Sequence, residues 1–368
     1  MEALVTGPNR AVWKGRKVFM TGHTGFKGGW MSLWLAQLGA HVRGYALDPC
    51  TDPNLLDAAK IPSVIDDIRG NILDLDHLKR EITAFQPEIV IHMAAQPLVR
   101  YSYEDPLGTY STNVLGTAHL LEAARAAENV RAVVSVTTDK CYENKEWVWG
   151  YRETDPLGGY DPYSSSKACS EIVTAAYRQS FFNPAHFGKT HQTLIASGRA
   201  GNVIGGGDWS LDRLIPDLVR GFLADEDVKI RRPHSIRPWQ HVLEPLWGYM
   251  RLAEELYKGN VSAASGWNFG PTDDDAWPVG RIADKMVSVW GDNAKWVQDG
   301  DPGPHEAGYL KLDASKARME LGWKPNLRIG TTLEWLVDWY KQWQAGADMH
   351  KLTLEQISAY EKLIAGNI

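Results

Sequence analysis

Cysteine is scarce in this chain, with Cys50, Cys141 and Cys169 among its 368 residues. Three cysteines so widely spaced form neither a zinc-binding pattern nor the even-numbered set of a small disulfide-stabilised domain. The sequence therefore predicts no metal site, and it favours a reducing compartment, the cytoplasm.

Long apolar runs and an excess of positive charge are missing as well. No run approaches the roughly 18 apolar residues that cross a bilayer, and residues 1–5 lack the basic and apolar parts of a signal peptide. Lysine and arginine total 39 against 45 acidic residues, a formal net charge of −6, which disfavours non-specific binding to nucleic acid. We expect a globular protein with neither a membrane nor a nucleic acid as partner.

Glycine, by contrast, is concentrated at one place near the N-terminus. Between an apolar strand at 17–20 and an amphipathic run at 30–36 lies Gly-His-Thr-Gly-Phe-Lys-Gly. Strand, glycine-rich turn and helix together place a pyrophosphate at the helix N-terminus, and glycine lets the backbone approach the phosphates. The candidate cofactor residues of this turn are Gly22, Thr24, Gly25, Phe26, Lys27 and Gly28. We expect Lys27 to reach a cofactor phosphate, the alternative being a solvated lysine in the first helical turn.

Strand-like and helix-like segments alternate over residues 15–198. This order predicts an α/β fold of the Rossmann type, a doubly wound parallel sheet that binds ligands at the carboxyl ends of its strands. From Arg199 onward glycine, proline and tryptophan are frequent, which predicts a smaller substrate-binding lobe over 199–368. A segment near 238–265 is expected to return to the first domain, and residues 1–14 are interpreted as a loose leader.

Asp48 ends the predicted second strand, about 20 residues past the last glycine of the turn. An acid at this place bonds the adenosine ribose hydroxyls and repels a 2′-phosphate, so the sequence favours NAD over NADP. The alternative is an ordinary acid in a surface turn before Pro49. Arg43 is expected on the opposite face of the strand.

Tyr163 and Lys167 are four residues apart and share one face of a predicted helix. A nearby ammonium group favours the phenolate, and the positive nicotinamide of an oxidised cofactor acts in the same direction. Tyr163 is therefore expected to have a lowered pKa and to act as a base on a sugar hydroxyl. The pair alone is a weak signal, and the glycine turn makes the catalytic interpretation the better one.

Thr138, Asp139 and Lys140 follow a continuous apolar strand. Thr138 is expected to bond the substrate oxygen that gains charge, its alternative being a β-branched strand residue. For Asp139 and Lys140 the alternative is a solvated polar turn. A cleft that also holds Tyr163 gives them another use, because eliminating water requires a base beside a carbonyl and an acid at the departing hydroxyl.

Longer stretches resemble the extended short-chain dehydrogenase/reductase family, and within it the nucleotide-sugar dehydratases. They are the glycine turn, Ala-Ala-Gln-Pro-Leu-Val-Arg at 94–100, Thr-Asp-Lys-Cys-Tyr-Glu-Asn at 138–144, Arg-Ala-Gly-Asn-Val-Ile-Gly-Gly-Gly-Asp-Trp at 199–209 and Arg-Pro-Trp-Gln-His-Val at 237–242. The last three are more specific than the glycine turn and the Tyr/Lys pair, which mark the superfamily. The resemblance covers nearly the whole chain and points to the branch that dehydrates CDP-glucose.

The resemblance implies an NAD-dependent lyase that converts CDP-D-glucose to CDP-4-keto-6-deoxy-D-glucose and water. C4 is oxidised, water is lost across C5 and C6, and a tightly bound NAD is regenerated in each turnover by hydride return to C6. Asp139 is then the general acid and Lys140 the C5 base, a role that requires a neutral amine. Alternatives are a dehydratase or epimerase acting on dTDP-, GDP- or UDP-sugars, and a catalytically inactive NAD-binding sensor.

Other roles come from the resemblance alone. The cofactor set is completed by Asp67, Ile68, Ala94, Ala95, Gln96 and Asn113. Asp67 and Ile68 are expected to hold the adenine. The nucleotide-sugar set is Arg100, Asn202, Arg237 and Tyr309, whereas Arg231 and Arg232 are interpreted as surface charges. The resemblance also implies a homodimer or homotetramer that supplies deoxysugars for surface polysaccharide such as O-antigen.

Overall fold

The computed structural model describes residues 7–291, 294–299 and 308–366. Its strands are β1 (Lys17–Thr21), β2 (His41–Ala46), β3 (Asp66–Arg69), β4 (Ile89–His92), β5 (Ala132–Val136), β6 (Leu194–Ala200), β7 (Val203–Ile204), β8 (Val228–Ile230), β9 (Ile236–Pro238), β10 (Gln240–His241), β11 (Gly266–Phe269), β12 (Ala276–Pro278) and β13 (Trp296–Gln298). Its α-helices are α1 (Arg10–Trp13), α2 (Phe26–Gln37), α3 (Leu55–Ala58), α4 (Leu75–Phe85), α5 (Val99–Glu104), α6 (Pro106–Tyr110), α7 (Gly116–Arg125), α8 (Pro162–Ser180), α9 (Leu214–Ala224), α10 (Leu243–Tyr257), α11 (Val279–Trp290), α12 (Ser315–Leu321), α13 (Ile329–Gln344) and α14 (Met349–Gly366).

A seven-stranded sheet in the order β11-β6-β5-β4-β1-β2-β3 forms the base of the fold. All of its neighbouring strands are parallel. Successive residues of β1 enter different apolar clusters, Val18 and Met20 in one and Phe19 in the other. Since side chains alternate along a strand, the two clusters cover the two faces of the sheet, as in parallel sheets generally. The predicted Rossmann-type α/β fold is confirmed.

The second segment of the chain returns to this sheet. The expected boundary at 198/199 falls inside β6, and α10 packs against β5 and β6. β11 then pairs with β6, so the returning segment reaches Phe269. α14 also packs against α2, where the Trp34 indole donates to Glu361 at 2.8 Å.

Residues 1–14 are expected to form a loose leader; residues 1–6 lie outside the described residues, and residues 10–13 contradict the expectation. They are helical, and Trp13 is fully buried, with its indole N–H donating to Glu254 of α10 at 2.7 Å. Burying a large aromatic side chain and satisfying its polar edge anchors this segment.

The rest of the second segment carries short strand pairs, β7 with β10, β8 with β13 and β9 with β12. Helices α9, α11 and α13 pack around them. Among the helices of the described ranges, none is both long and apolar enough to cross a membrane.

Candidate active site

A cavity of about 1210 Å³ lies between the carboxyl ends of the parallel strands and the second segment. Its walls include the glycine turn, the end of β5, the start of α8 and residues from Ala200 to Val279. This is the edge at which doubly wound sheets bind ligands.

The glycine turn shapes one end of the cavity around backbone atoms. Gly22 has a φ of +79°, and Gly25, the N-cap of α2, has no side chain to bond the first N–H groups of the helix, which therefore stay available as donors beside the cavity. A Cβ on Gly22 would lie 2.7 Å from the backbone nitrogen of Ala94. Gly22, Thr24, Gly25, Phe26, Lys27 and Gly28 all line the cavity. The turn therefore has the backbone donors and the space that a diphosphate requires.

Lys27 of this turn is half-buried, and its ammonium donates to the Tyr249 hydroxyl at 3.2 Å. Burial, together with the positive charges of Lys167 and Arg213, lowers the pKa of Lys27 to about 7. These contacts differ from those of a fully solvated first-turn lysine.

Asp48 follows β2, lines the cavity, and lies 3.4 Å from the guanidinium of Arg69. Arg43 faces away from the cavity, where its guanidinium pairs with Asp66 and Glu81. Asp48 thus lies in the cavity wall, and its contact with the adenosine ribose stays a prediction.

Asp67 and Ile68 are not where the adenine prediction requires them. Both belong to β3, where the Asp67 carboxylate lies 2.7 Å from His23 Nε2 and accepts from Arg69 at 2.9 Å. Ile68 packs against an apolar cluster under the sheet. The wall is formed instead by residues that follow the strand, Gly70, Asn71, Ile72 and Leu73. The signal that could have identified them is position, because ligands lie beyond the carboxyl end of a strand rather than within it.

Ala94 and Ala95 line the cavity next to the glycine turn. Their loop is fixed to the end of β1, because the Thr21 hydroxyl accepts from the backbone N–H groups of Met93 and Ala94, both at 3.1 Å. A loop fixed in this way presents small side chains to the cofactor path without blocking it.

Gln96 and Asn113 lie behind this wall rather than in it. The Gln96 amide donates to Leu98 O at 3.0 Å and to Thr109 at 2.8 Å. Asn113 accepts from Gln96 N at 2.9 Å and donates to Ser166 of α8 at 2.8 Å. Local hydrogen bonds hold the Gln96 side chain inside the loop, which does not fit the expected direct contact with the cofactor. Asn113 supports the active-site backbone, as the resemblance implies, and its contact with the cofactor stays a prediction.

Tyr163 and Lys167 of α8 meet Thr138 at the end of β5, and all three line the cavity. Burial raises the pKa of Tyr163 to about 12, and its hydrogen bond with Thr138 opposes that rise in part. Burial also lowers the pKa of Lys167 to about 8, and its ammonium lies 3.4 Å from Val136 O. Burial thus outweighs the groups of the chain that favour the phenolate, so the pKa of Tyr163 is raised and not lowered as predicted. The other source named in that prediction is the positive charge of the oxidised cofactor.

Asp139 and Lys140 share a short 3-10 turn directly after Thr138. The Asp139 carboxylate accepts from the Thr138 hydroxyl at 2.9 Å through Oδ1. Its buried Oδ2 has no hydrogen-bond partner among the described residues. Lys140 is half-buried and also lines the cavity. An acid, an amine, a hydroxyl and a phenol thus converge on one space.

The second segment supplies cationic and polar groups to the opposite wall. Asn202 lines it, and Arg100 enters from α5, pairing with Asp212 at 3.1 Å. Arg237 of β9 is 8% exposed and donates to Ile236 O at 3.0 Å. A buried guanidinium beside a large cavity suits an anionic ligand.

The structure differs from two expectations for this wall. The Tyr309 hydroxyl turns away to donate to Val148 O at 3.1 Å, and the neighbouring Leu310 lines the cavity. Arg231 and Arg232 line the cavity rather than lying free on the surface. Sequence reasoning also missed Arg213, which lines the cavity and pairs with Asp208 at 3.1 Å.

A model of the family described as GDP-mannose 4,6 dehydratase matches residues 19–335, from β1 into α13. The chain belongs to this family. The GDP-mannose 4,6 dehydratase family match contains every residue of the candidate site, and it confirms the predicted resemblance to nucleotide-sugar dehydratases.

Relatives of known name agree with this assignment. The chain is 56% identical to the CDP-glucose 4,6-dehydratase of Salmonella typhimurium over 95% of this chain and 97% of the relative. It is 28% identical to a probable dTDP-glucose 4,6-dehydratase of Sinorhizobium fredii over 88% of this chain and 92% of the relative.

Solved structures show the same fold. A UDP-glucose 4-epimerase of Thermotoga maritima superposes with a TM-score of 0.77 at 19% identity, covering 89% of this chain and 99% of that one. A dTDP-glucose 4,6-dehydratase of Bacillus anthracis in complex with NAD superposes with a TM-score of 0.72 at 21% identity, covering 91% of this chain and 100% of that one.

Proposed function

We propose that this protein is an NAD-dependent CDP-glucose 4,6-dehydratase, a carbon–oxygen lyase that forms CDP-4-keto-6-deoxy-D-glucose. The observation that carries the proposal is the 56% identity with the Salmonella typhimurium enzyme of that name along nearly the whole length of both chains. The cavity supports it with the acid, the amine and the phenol that dehydration requires at one place.

The residues of the cavity fit NAD. The glycine turn offers backbone donors to a diphosphate, and Asp48 is placed for the adenosine ribose. Ala94, Ala95, Tyr163 and Lys167 would border the nicotinamide ribose end. When bound, NAD supplies a hydride acceptor for C4 and a hydride donor for C6.

Tyr163 is proposed to remove the proton of the 4-hydroxyl, with Thr138 donating a hydrogen bond to the sugar oxygen. The resulting ketone acidifies C5. Lys140 then takes the C5 proton, and Asp139 gives a proton to the 6-hydroxyl, which leaves as water. The proton on Lys140 returns to C5 when C6 is reduced, and the proton that Tyr163 took from the 4-hydroxyl replaces the one that Asp139 gave to the departing water. Arg237, Arg100 and Asn202 are proposed to hold the nucleotide diphosphate.

Assembly and location belong to the proposal too. Leu107, Leu115 and Ile172, on the stretch from α6 to α8, expose large apolar side chains. A homodimer or homotetramer would bury them, and the mass of the particle in solution tests this.

We propose a cytoplasmic enzyme that feeds deoxysugar synthesis for surface polysaccharide.

The test is mass spectrometry of products after incubation with CDP-, dTDP-, UDP- and GDP-glucose, with and without added NAD. Loss of one water from CDP-glucose is the expected result, and turnover without added NAD would establish a retained cofactor. Tyr163→Phe should abolish this loss, whereas Tyr177→Phe, at the far end of α8, is the matched control. A change of stereochemistry without water loss would replace the proposal by an epimerase.

A further inference from the structure

Behind the catalytic side chains lies a buried ion pair that the proposed mechanism does not use. Arg199 of β6 donates to Glu171 of α8 at 2.8 Å, and their side chains are 6% and 3% exposed. The Glu171 carboxylate also accepts from Ser197 at 2.6 Å and from Thr137. Burying two charges costs free energy, and such a pair stabilises a fold little more than apolar residues do. Stability alone therefore gives no reason for a charged pair here.

The pair connects the elements that carry the catalytic groups. Glu171 lies on α8, one helical turn beyond Lys167. Arg199 donates to the Tyr142 hydroxyl at 2.7 Å, and Tyr142 directly follows the turn of Asp139 and Lys140. The helix, the strand end and the acid–base turn thus share one buried anchor.

Lys167 itself is 7% exposed, and an amine in such a place tends to lose its proton. The ionisable groups that interact with it are Glu171 on α8, Cys141 on the turn after β5, Lys27 on α2 and His92 on β4. Tyr163 lies one helical turn before it on α8. Glu171 raises the pKa of Lys167, Lys27 is a like charge, and burial lowers the pKa of His92 to about 3, which leaves that imidazole neutral. Glu171 is thus the carboxylate that opposes deprotonation of Lys167.

We propose that Glu171, held in its ionised form by Arg199, is a positioning residue that keeps the buried Lys167 in its cationic form. The inference rests on the proposed function, in which Tyr163 is the base, and on the expectation from the sequence that the Lys167 ammonium favours the Tyr163 phenolate. Loss of the Glu171 charge would leave Lys167 neutral over part of the working pH range and so weaken Tyr163 as a base.

Lys167 can be titrated directly, without any turnover. Acetylation by acetic anhydride at a series of pH values, followed by peptide mass spectrometry, gives the midpoint at which the Lys167 amine becomes reactive. In Glu171→Gln this midpoint should fall by roughly one pH unit or more, the smaller end of the effect of an adjacent opposite charge. Thr174→Val is the matched control, because Thr174 is fully buried on the same helix and carries no charge. Its midpoint should equal that of the wild type.

The double variant Glu171→Gln with Arg199→Met removes both charges and guards against misfolding of the single variant. The acetylation midpoint of Lys167 in this double variant should be as low as in Glu171→Gln. The alkaline limb of the profile of kcat against pH should move to lower pH than in the wild type. A double variant with the wild-type midpoint would overturn the inference and leave the pair a purely structural one. A wild type that does not dehydrate CDP-glucose would instead contradict the proposed function, while the labelling midpoints still decide the role of Glu171.

Discussion

A Cβ atom on Gly28 would lie 2.1 Å from the carbonyl oxygen of Gly22. That oxygen belongs to backbone that cannot swing aside, so the first turn of α2 packs directly on the strand-to-helix turn. The close contact, rather than an unusual φ, requires glycine at position 28.

Gly28→Ala is therefore expected to distort the turn and weaken NAD binding by about tenfold or more, since close backbone approach is what the motif glycines provide. The dissociation constant can be followed by quenching of tryptophan fluorescence. Gly330→Ala serves as control, because a Cβ on Gly330 meets no atom within 4 Å. Equal affinities in the two variants would contradict this account of the turn.

Lys140→Ala should separate oxidation from elimination. Without the proposed C5 base the variant should still oxidise C4, so NADH accumulates by absorbance, while loss of water falls by about 100-fold or more. In deuterated water its sugar should take up less deuterium at C5. Normal dehydration by this variant would exclude Lys140 as the base and return it to a polar turn.

Asp48→Ser should raise the use of NADP relative to NAD by roughly tenfold. The substitution removes the carboxylate that repels a 2′-phosphate. It also leaves the Arg69 guanidinium, which lies 3.4 Å from Asp48 and 2.9 Å from Asp67, with one carboxylate partner instead of two. The measurement is the ratio of apparent affinities for the two dinucleotides. Adding Arg69→Met should cancel the gain, and Asp66→Ser, an acid paired with Arg43, should leave the ratio unchanged. If the gain survived in the Asp48→Ser, Arg69→Met double variant, Arg69 would not be its source.

Glu244 should make the fold less stable as the pH rises. It is fully buried, it accepts from the backbone N–H groups of Asn326 and Leu327 at 2.8 and 2.6 Å, and burial raises its pKa from 4.5 to about 7. A carboxyl whose pKa is raised in the folded state stabilises that state below pH 4.5. This contribution is lost as the pH rises through 7.

Urea unfolding at mildly acidic and mildly alkaline pH measures this effect. From acid to alkaline pH, the wild type should lose on the order of 3 kcal/mol more of its free energy of unfolding than Glu244→Gln does. Glu355→Gln, an exposed glutamate of α14, should behave as the wild type. Parallel pH profiles of wild type and Glu244→Gln would show that Glu244 ionises normally.

Much of this site could be predicted from the sequence because its signals are local. The glycine turn is recognised from a strand and a helix that lie within some 20 residues of each other. The pair of Tyr163 and Lys167 is recognised from a spacing of one helical turn. Asp139 and Lys140 directly follow the end of a strand. Recognising that strand was therefore sufficient to place both residues at the carboxyl edge of the sheet. Alternating strands and helices were sufficient for the Rossmann-type fold.

The errors concern side-chain direction. The resemblance assigns the adenine to Asp67 and Ile68, but both residues lie within β3 and the cavity wall begins at Gly70 instead. Gln96 and Tyr309 turn toward partners in their own surroundings, Thr109 and Val148.

The sequence by itself determined which residues stand beside one another on the same strand, turn or helix, because backbone geometry decides this over a few residues. The tertiary structure decided which of them face the cavity and how they ionise. The pKa of Tyr163 depends on the burial that distant segments impose, and the charge of Lys167 depends on Glu171, which Arg199 of another strand holds in place. Burial and electrostatic interaction act through space, so no run of neighbouring residues contains them.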